Sequence, residues 1–274
     1  MKFIKNISPF LFAFAMLFTI GLFMLIPTES VFENKNISKF KFEYINIFIK
    51  MSFLFIFCYI IIAKLKLKPI AGLSSKYKWK FKSLNLLPIY LFIAGLLTVS
   101  SKDVSQIQPT NLLILLFGCL AVGFGEEFIF RGLLQPLFLK RYIKHPRGML
   151  LGVFIPALFF GLFHLVNLID RQQVVPVLIQ VVFATFIGFF FGVLVLKTNK
   201  LLPLAIIHGL INFFLSLQTL PSLNDALVNN VSEDGIGAAI GPLILFFPLF
   251  IIGLIILIKM NKESTREKLE ASFN

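Results

Sequence analysis

The sequence predicts an all-α fold, a polytopic membrane bundle of about eight transmembrane helices. Three observations carry that prediction. The 274 residues are 58% hydrophobic and only 14% charged, with 35 Phe, whereas soluble domains average about 25% charged residues. Apolar runs close to the spanning length of about 20 residues recur along the whole chain. The segments between them alternate between strongly and weakly basic, as expected where Lys and Arg stay on the cytoplasmic side of a membrane.

The first run, 8–27, is followed by Pro27-Thr28-Glu29 and lacks a small-residue cleavage site, so it reads as a retained helix rather than a signal peptide. The next runs are 44–63, 84–100, 111–139, 149–168, 175–196, 201–217 and 239–258. The third and seventh are short. The loops leave no room for a soluble domain, so residues 1–274 read as one integral membrane domain, with the chemistry-bearing core at about 111–217.

Charge orients the bundle. With a cytoplasmic N-terminus, the inner segments hold Lys2 and Lys5, then Lys64, Lys66, Lys68, Lys76, Lys78, Lys80 and Lys82. Lys140, Arg141, Lys144 and Arg147 follow, then Lys197 and Lys200, and last Lys259, Lys262, Arg266 and Lys268. Lys35, Lys39, Lys41, Lys102 and Arg171 fall outside, with acids that include Asp225, Glu233 and Asp234. The expected product is a multi-pass protein of a prokaryotic plasma membrane with both termini cytoplasmic. A net charge of +13 is then a topology signal and an attraction to anionic lipid, not a mark of nucleic-acid binding.

Two stretches alternate basic and aromatic residues, Lys76-Tyr77-Lys78-Trp79-Lys80-Phe81-Lys82 and Lys39-Phe40-Lys41-Phe42. They read as interfacial anchors, with rings at the headgroups and ammonium groups on phosphates. Cys58 and Cys119 lie inside apolar runs without metal-ligand spacing and read as small apolar side chains. No Gly-rich phosphate loop and no His-Glu-x-x-His is present.

The informative residues are polar ones inside the fourth, fifth and seventh runs. Glu126-Glu127-Phe128-Ile129-Phe130-Arg131 interrupts an otherwise apolar stretch. Each charge at a bilayer centre costs roughly 2.5–3.5 kcal/mol, so such a cluster marks a functional site by default. His145 lies in a basic loop, but His164 and His208 sit in apolar helices. A lone buried histidine is usually a satisfied structural residue; two, with Glu-Glu-x-x-x-Arg, in a bundle nearly free of other ionisable groups are harder to dismiss. Glu127 and Arg131 are four apart and can pair on one face, while Glu126 is turned about 100° away. His208 and Asn212 are also four apart, and Phe160 precedes His164 by one turn. Gly123, Gly125, Gly161 and Gly209 beside these residues would let helices approach closely.

These residue types suit water activation. A carboxylate that takes a proton from water serves as a general base, and a neighbouring histidine can share that proton. A histidine and an asparagine opposite can donate to an oxyanion. With no obvious Ser or Cys nucleophile among them, water attacking a carbonyl, and so peptide hydrolysis, is the leading reaction class.

The three motifs, Glu126-Glu127-x-x-x-Arg131, Phe160-x-x-x-His164 and His208-x-x-x-Asn212, together resemble the CPBP family. It comprises intramembrane peptidases related to CAAX-prenyl endopeptidases and to bacteriocin-processing and immunity (Abi) proteins. The resemblance implies that Glu126 is the base and His164 its partner in activating water. It also implies that His208 and Asn212 form the oxyanion site, with Glu127, Arg131 and Phe160 as architecture. The substrate would be a membrane-associated peptide or a lipidated protein tail. No metal is favoured; a divalent metal such as zinc would take Glu126, His164 and His208 as a two-histidine, one-carboxylate set. The alternatives are a non-catalytic scaffold or bacteriocin immunity protein on the same fold, and an ion- or proton-coupled transporter using Glu126 as carrier. Depth raises one difficulty. Glu126 and His208 fall in the middle to inner half of the membrane and His164 nearer its outer side, so helix five must tilt or residues 167–173 must fold into the bundle mouth.

Overall fold

A computed structural model describes residues 8–28, 37–75, 78–100, 102–169, 174–224 and 236–262. Lys2, Lys5, Lys35, Lys76, Tyr77, Arg171, Asp225, Glu233, Asp234, Arg266 and Lys268 lie outside the described residues, as does the 170–173 part of the polar stretch after helix five. Among the described residues all regular structure is helical. Eight apolar helices follow the eight expected runs: α1 Pro9–Met24, α2 Lys39–Lys64, α3 Lys82–Leu97, α4 Pro109–Tyr142, α5 Gly148–Leu168, α6 Val174–Thr198, α7 Leu202–Leu215 and α8 Ile236–Lys262.

Five of them (α2, α4, α5, α6 and α8) are long and apolar enough to cross a membrane; α1, α3 and α7 are shorter. The 14 residues of α7 rise only about 21 Å at about 1.5 Å each, against a hydrocarbon core of about 30 Å. In α3 the shortening has a readable cause. A 3-10 turn, Lys82–Leu86, ends ahead of Pro88, and the α-helix starts at Ile89, because Pro88 has no N–H to continue the helical ladder, although Leu87 before it keeps helical backbone at φ −55, ψ −41.

Local chemistry sets the other boundaries. Proline stands at the first or second position of α1, α4 and α7, where its missing N–H costs nothing. Ser38 caps α2 by accepting from the Lys41 N–H at 3.4 Å. Lys50, buried within α2, donates to the carbonyls of Met24 and Ile26 at 2.8 and 2.9 Å, satisfying the C-terminal end of α1.

The helix ends sort into two sets. Leu139, Ile143, Met149, Leu196 and Met260 form one buried cluster with Ile70 packed against it. Val99, Leu115, Leu217, Leu220 and Leu223 form another, flanked by Phe40, Tyr44 and Ile107. The C-terminal ends of α4, α6 and α8 therefore meet the loop after α2 and the start of α5 at one end. The starts of α2 and α4 meet the ends of α3 and α7 at the other. This is the alternation a serpentine bundle requires, and the loops rich in Lys and Arg share the first end.

Between the two ends α4 is the central element, packed along α2 and α7 and against α5. Its middle is a π-helical stretch, Phe128–Leu134, in which all seven residues are buried. Close approach is made through glycines. A Cβ on Gly123 would stand 2.5 Å from the Ala205 carbonyl oxygen and the Gly209 nitrogen, and one on Gly209 would stand 2.7 Å from the Leu120 Cα. The α4–α7 seam is backbone against backbone. Gly161 likewise lets α5 touch Thr185 and the Val181 carbonyl on α6.

Candidate active site

The α4–α7 seam brings the acids of one helix to a histidine of the other. His208 is buried and lies between the two carboxylates. Its Nδ1 is 2.8 Å from Glu127 Oε1 and its Nε2 is 3.5 Å from Glu126 Oε2. Glu127 Oε1 also accepts from Arg131 Nη1 at 2.9 Å. One carboxylate oxygen thus holds a guanidinium from its own helix and an imidazole from the facing helix. Glu127 and Arg131 are 0% and 1% exposed, whereas the Glu126 side chain keeps 10%. Of the two acids, Glu126 is the one with an open side.

The charges are tolerable because they compensate one another. The Arg131 guanidinium sits on Glu127, and the His208 imidazole stands between the two acids. A carboxylate only accepts, so His208 Nδ1 is the donor to Glu127, and Nε2 faces Glu126. Aromatic rings provide the remaining enclosure. The Arg131 guanidinium carbon lies 4.5 Å from the Phe160 ring centre, 5.7 Å from Phe191 and 6.0 Å from Phe130, within the range where a cation is attracted to a ring face. The absence of a side chain at Gly188 makes the space: a Cβ there would sit 3.0 Å from Arg131 Nη2 and 2.9 Å from Phe160.

His164 opens the 3-10 turn that ends α5 and is half-buried. Its Nδ1 lies 2.9 Å from the Phe160 carbonyl oxygen. A carbonyl only accepts, so Nδ1 is the donor here. Phe160 joins the two histidines, with its ring 5.1 Å from the His164 ring and 5.9 Å from the His208 ring, edge-on to both. Past His164 the chain bends toward α6, where Asn167 donates to Gln180 at 3.0 Å. The imidazole expected nearer the outer side and the one expected deeper thus share one phenyl wall. Among the described residues no hydrogen bond or ion pair joins His164 to Glu126. Asn212, one turn beyond His208, is half-buried and its amide makes no hydrogen bond among them. No group of three or more His, Cys, Asp or Glu among the described residues is placed to hold a metal ion; Glu126 and His208 adjoin, but His164 does not complete a set with them. Cys58 and Cys119 are buried free thiols.

Several site residues escape a reading by motif. Phe191 packs on the His208 ring at 5.4 Å and Gly188 makes room for Arg131. Gln135 is buried and donates to the Gly192 carbonyl at 3.0 Å, binding the end of the π stretch to α6. The pair Gly188-x-x-x-Gly192 is the small-residue spacing of close helix contacts and was the available signal. For Phe191, one ring among 35 Phe, there was none.

Five helices long and apolar enough to cross a membrane, around a buried glutamate–histidine–arginine centre, define a multi-pass membrane protein. Residues 108–214 match the family model described as type II CAAX prenyl endopeptidase, Rce1-like, in agreement with the family that the three motifs resemble. All seven motif residues lie within the matched segment. No curated protein and no solved structure matched the chain.

Proposed function

We propose that the protein is an intramembrane endopeptidase of the glutamate type, hydrolysing a peptide bond in a membrane-associated peptide or lipidated protein tail. The observation that carries this reading is His208 held between Glu127 and Glu126 at 2.8 and 3.5 Å, with Glu126 the partner left open.

Water lies between Glu126 and His164 in this mechanism. Glu126 takes one proton from it, and the His164 Nε2 lone pair accepts a hydrogen bond from it, its ring held by the Phe160 carbonyl. The water oxygen attacks the carbonyl carbon. The resulting oxyanion accepts from His208 Nε2–H and the Asn212 amide, worth roughly 10²–10³ in rate for one such donor. As the C–N bond breaks, Glu126 returns its proton to the leaving nitrogen, so the cycle closes with all groups restored. Glu127 and Arg131 keep the His208 ring in its orientation. No metal enters these steps. The three short helices cross with the help of their flanking turns, giving eight spans and two cytoplasmic termini in a prokaryotic plasma membrane. Residues 111–217 form the working core of a single domain.

The test compares peptides in membranes carrying the wild-type chain with those carrying Glu126→Ala or His164→Ala. A membrane peptide cut in the first and intact in both variants is the expected result. Identical profiles, with the variants present and folded, would leave a non-catalytic scaffold as the reading.

A further inference from the structure

The basic–aromatic strip after α2 is not used by the catalytic reading. Lys78, Trp79, Lys80, Phe81 and Lys82 are consecutive and exposed, and three features make them a built surface rather than a slack loop. The Lys80 N–H donates to the Thr198 carbonyl at 3.0 Å, fixing the strip to the end of α6. Phe81 adopts φ 47, ψ 44, a left-handed conformation uncommon for a bulky residue that must be held by its surroundings. Lys82 Nζ lies 5.4 Å above the Trp79 ring and Lys197 Nζ lies 4.4 Å above the Phe81 ring. The interhelical loops around the strip carry charge of one sign. The loops after α2, α4 and α6, which share this end of the bundle, contain no Asp or Glu.

We propose that Lys78–Ser83 is a docking surface for the phosphate headgroups of anionic phospholipid at the basic end of the bundle. The rings sit where the apolar helices end, at the level that Trp and other aromatics favour in a membrane interface. The ammonium groups over those rings are cations that phosphate headgroups attract. The same geometry disfavours nucleic acid, because bases stack on open aromatic faces and here ammonium groups cover faces of both rings. This inference rests on the membrane reading and is independent of the catalytic one.

Trp79 is the one tryptophan of the chain, so its emission reports on this strip alone. The full-length protein is placed in bilayer discs containing an equal share of brominated phosphatidylglycerol or of brominated phosphatidylcholine, which quench the ring on contact. The expected result is roughly a two- to fivefold stronger quenching by the anionic lipid, shrinking at high salt as the charges are screened. The excess should vanish in the triple variant Lys78→Gln, Lys80→Gln, Lys82→Gln and persist when Lys140, Arg141 and Lys144 are changed to Gln instead. Equal quenching by the two lipids, strong or absent, would overturn the proposal. So would loss of the excess in the second variant, which would assign it to the overall potential of this end.

Discussion

The helices of the matched segment and the helices around them are assembled by different rules. In the most apolar window of α4 and of α6, 56% and 61% of residues are buried; in those of α2 and α8, 28% and 22%. The inner set is held by glycine-mediated backbone contact and by a buried cluster of Glu126, Glu127, Arg131 and His208. The flanking helices α1, α2 and α8 present Phe14, Phe18, Phe53, Ile244 and Phe247 outward; α3 differs, because its Gly95 lies directly against the Phe214 backbone of α7. In lipid, burying an apolar side chain gains little, since the hydrocarbon is as apolar as the protein interior, so association depends on close packing and polar contact. The difference teaches where change should matter. A substitution in the inner set should act far beyond its size, and one in the flanks should act little.

The largest expected effect is on activity. Glu126→Ala should lower cleavage by roughly 10²–10⁴-fold, the usual contribution of a general base, measured on whichever membrane peptide the profile comparison identifies. The same variant should melt close to wild type in detergent. Removing Glu126 leaves the Glu127–Arg131 pair intact and a His208 that need carry no charge, so no buried charge is orphaned. Arg131→Met should do the reverse and strike the fold. It leaves Glu127, at 0% exposure, with only the His208 imidazole as partner, and breaking a buried pair from one side costs about 3–5 kcal/mol. Adding Glu127→Gln to Arg131→Met should restore part of that loss, because the second change removes the stranded charge. If the double variant melts no higher than the single one, Arg131 acts by filling space among Phe130, Phe160 and Phe191 rather than by compensating Glu127.

The same contrast explains what could be read from the sequence. The eight apolar runs all became helices because a long run without charges allows little else in lipid. The acids and histidines were conspicuous because a charge in such a run is costly. The i,i+4 spacing of Glu127 and Arg131 foresaw their ion pair, since a helix constrains its own neighbours. Spacing says nothing of partners on another helix, so the hold of Glu127 on His208 had no sequence signal. Neither did the π stretch. Where all seven of Phe128–Leu134 are buried, no polar face remains to show the phase of the helix. For α3 the run 84–100 is short, as the helix Lys82–Leu97 is, and Pro88 inside it marks the change from 3-10 to α-helical backbone.

Lys50 sharpens the comparison, because it is a buried charge in the flanking set. Its ammonium serves two helix-end carbonyls rather than a carboxylate. Lys50→Met should therefore cost less than Arg131→Met, about 1.5–3 kcal/mol as for hydrogen bonds to a charged group, read as a fall in melting temperature without loss of site chemistry. A cost equal to that of Arg131→Met would mean that α1 and α2 are as integral to the bundle as the seam.

The smallest effects come from adding one methyl group to a glycine in each region. At Gly123 the new carbon would lie 2.5 Å from two backbone atoms of α7, and backbone cannot rotate aside as a side chain can. The α4–α7 seam must then open, at about 1–3 kcal/mol for overpacking, and with it the reach from Glu126 to His208; Gly123→Ala should lower both melting temperature and cleavage. At Gly21 in α1 nothing lies within 4 Å of the position a Cβ would take. There the only change is helix propensity, which favours alanine by about 0.8–1 kcal/mol, so Gly21→Ala should melt at or slightly above wild type with cleavage unchanged. If the two variants destabilise alike, close backbone approach is not what distinguishes the inner helices, and the ion cluster alone must account for their cohesion.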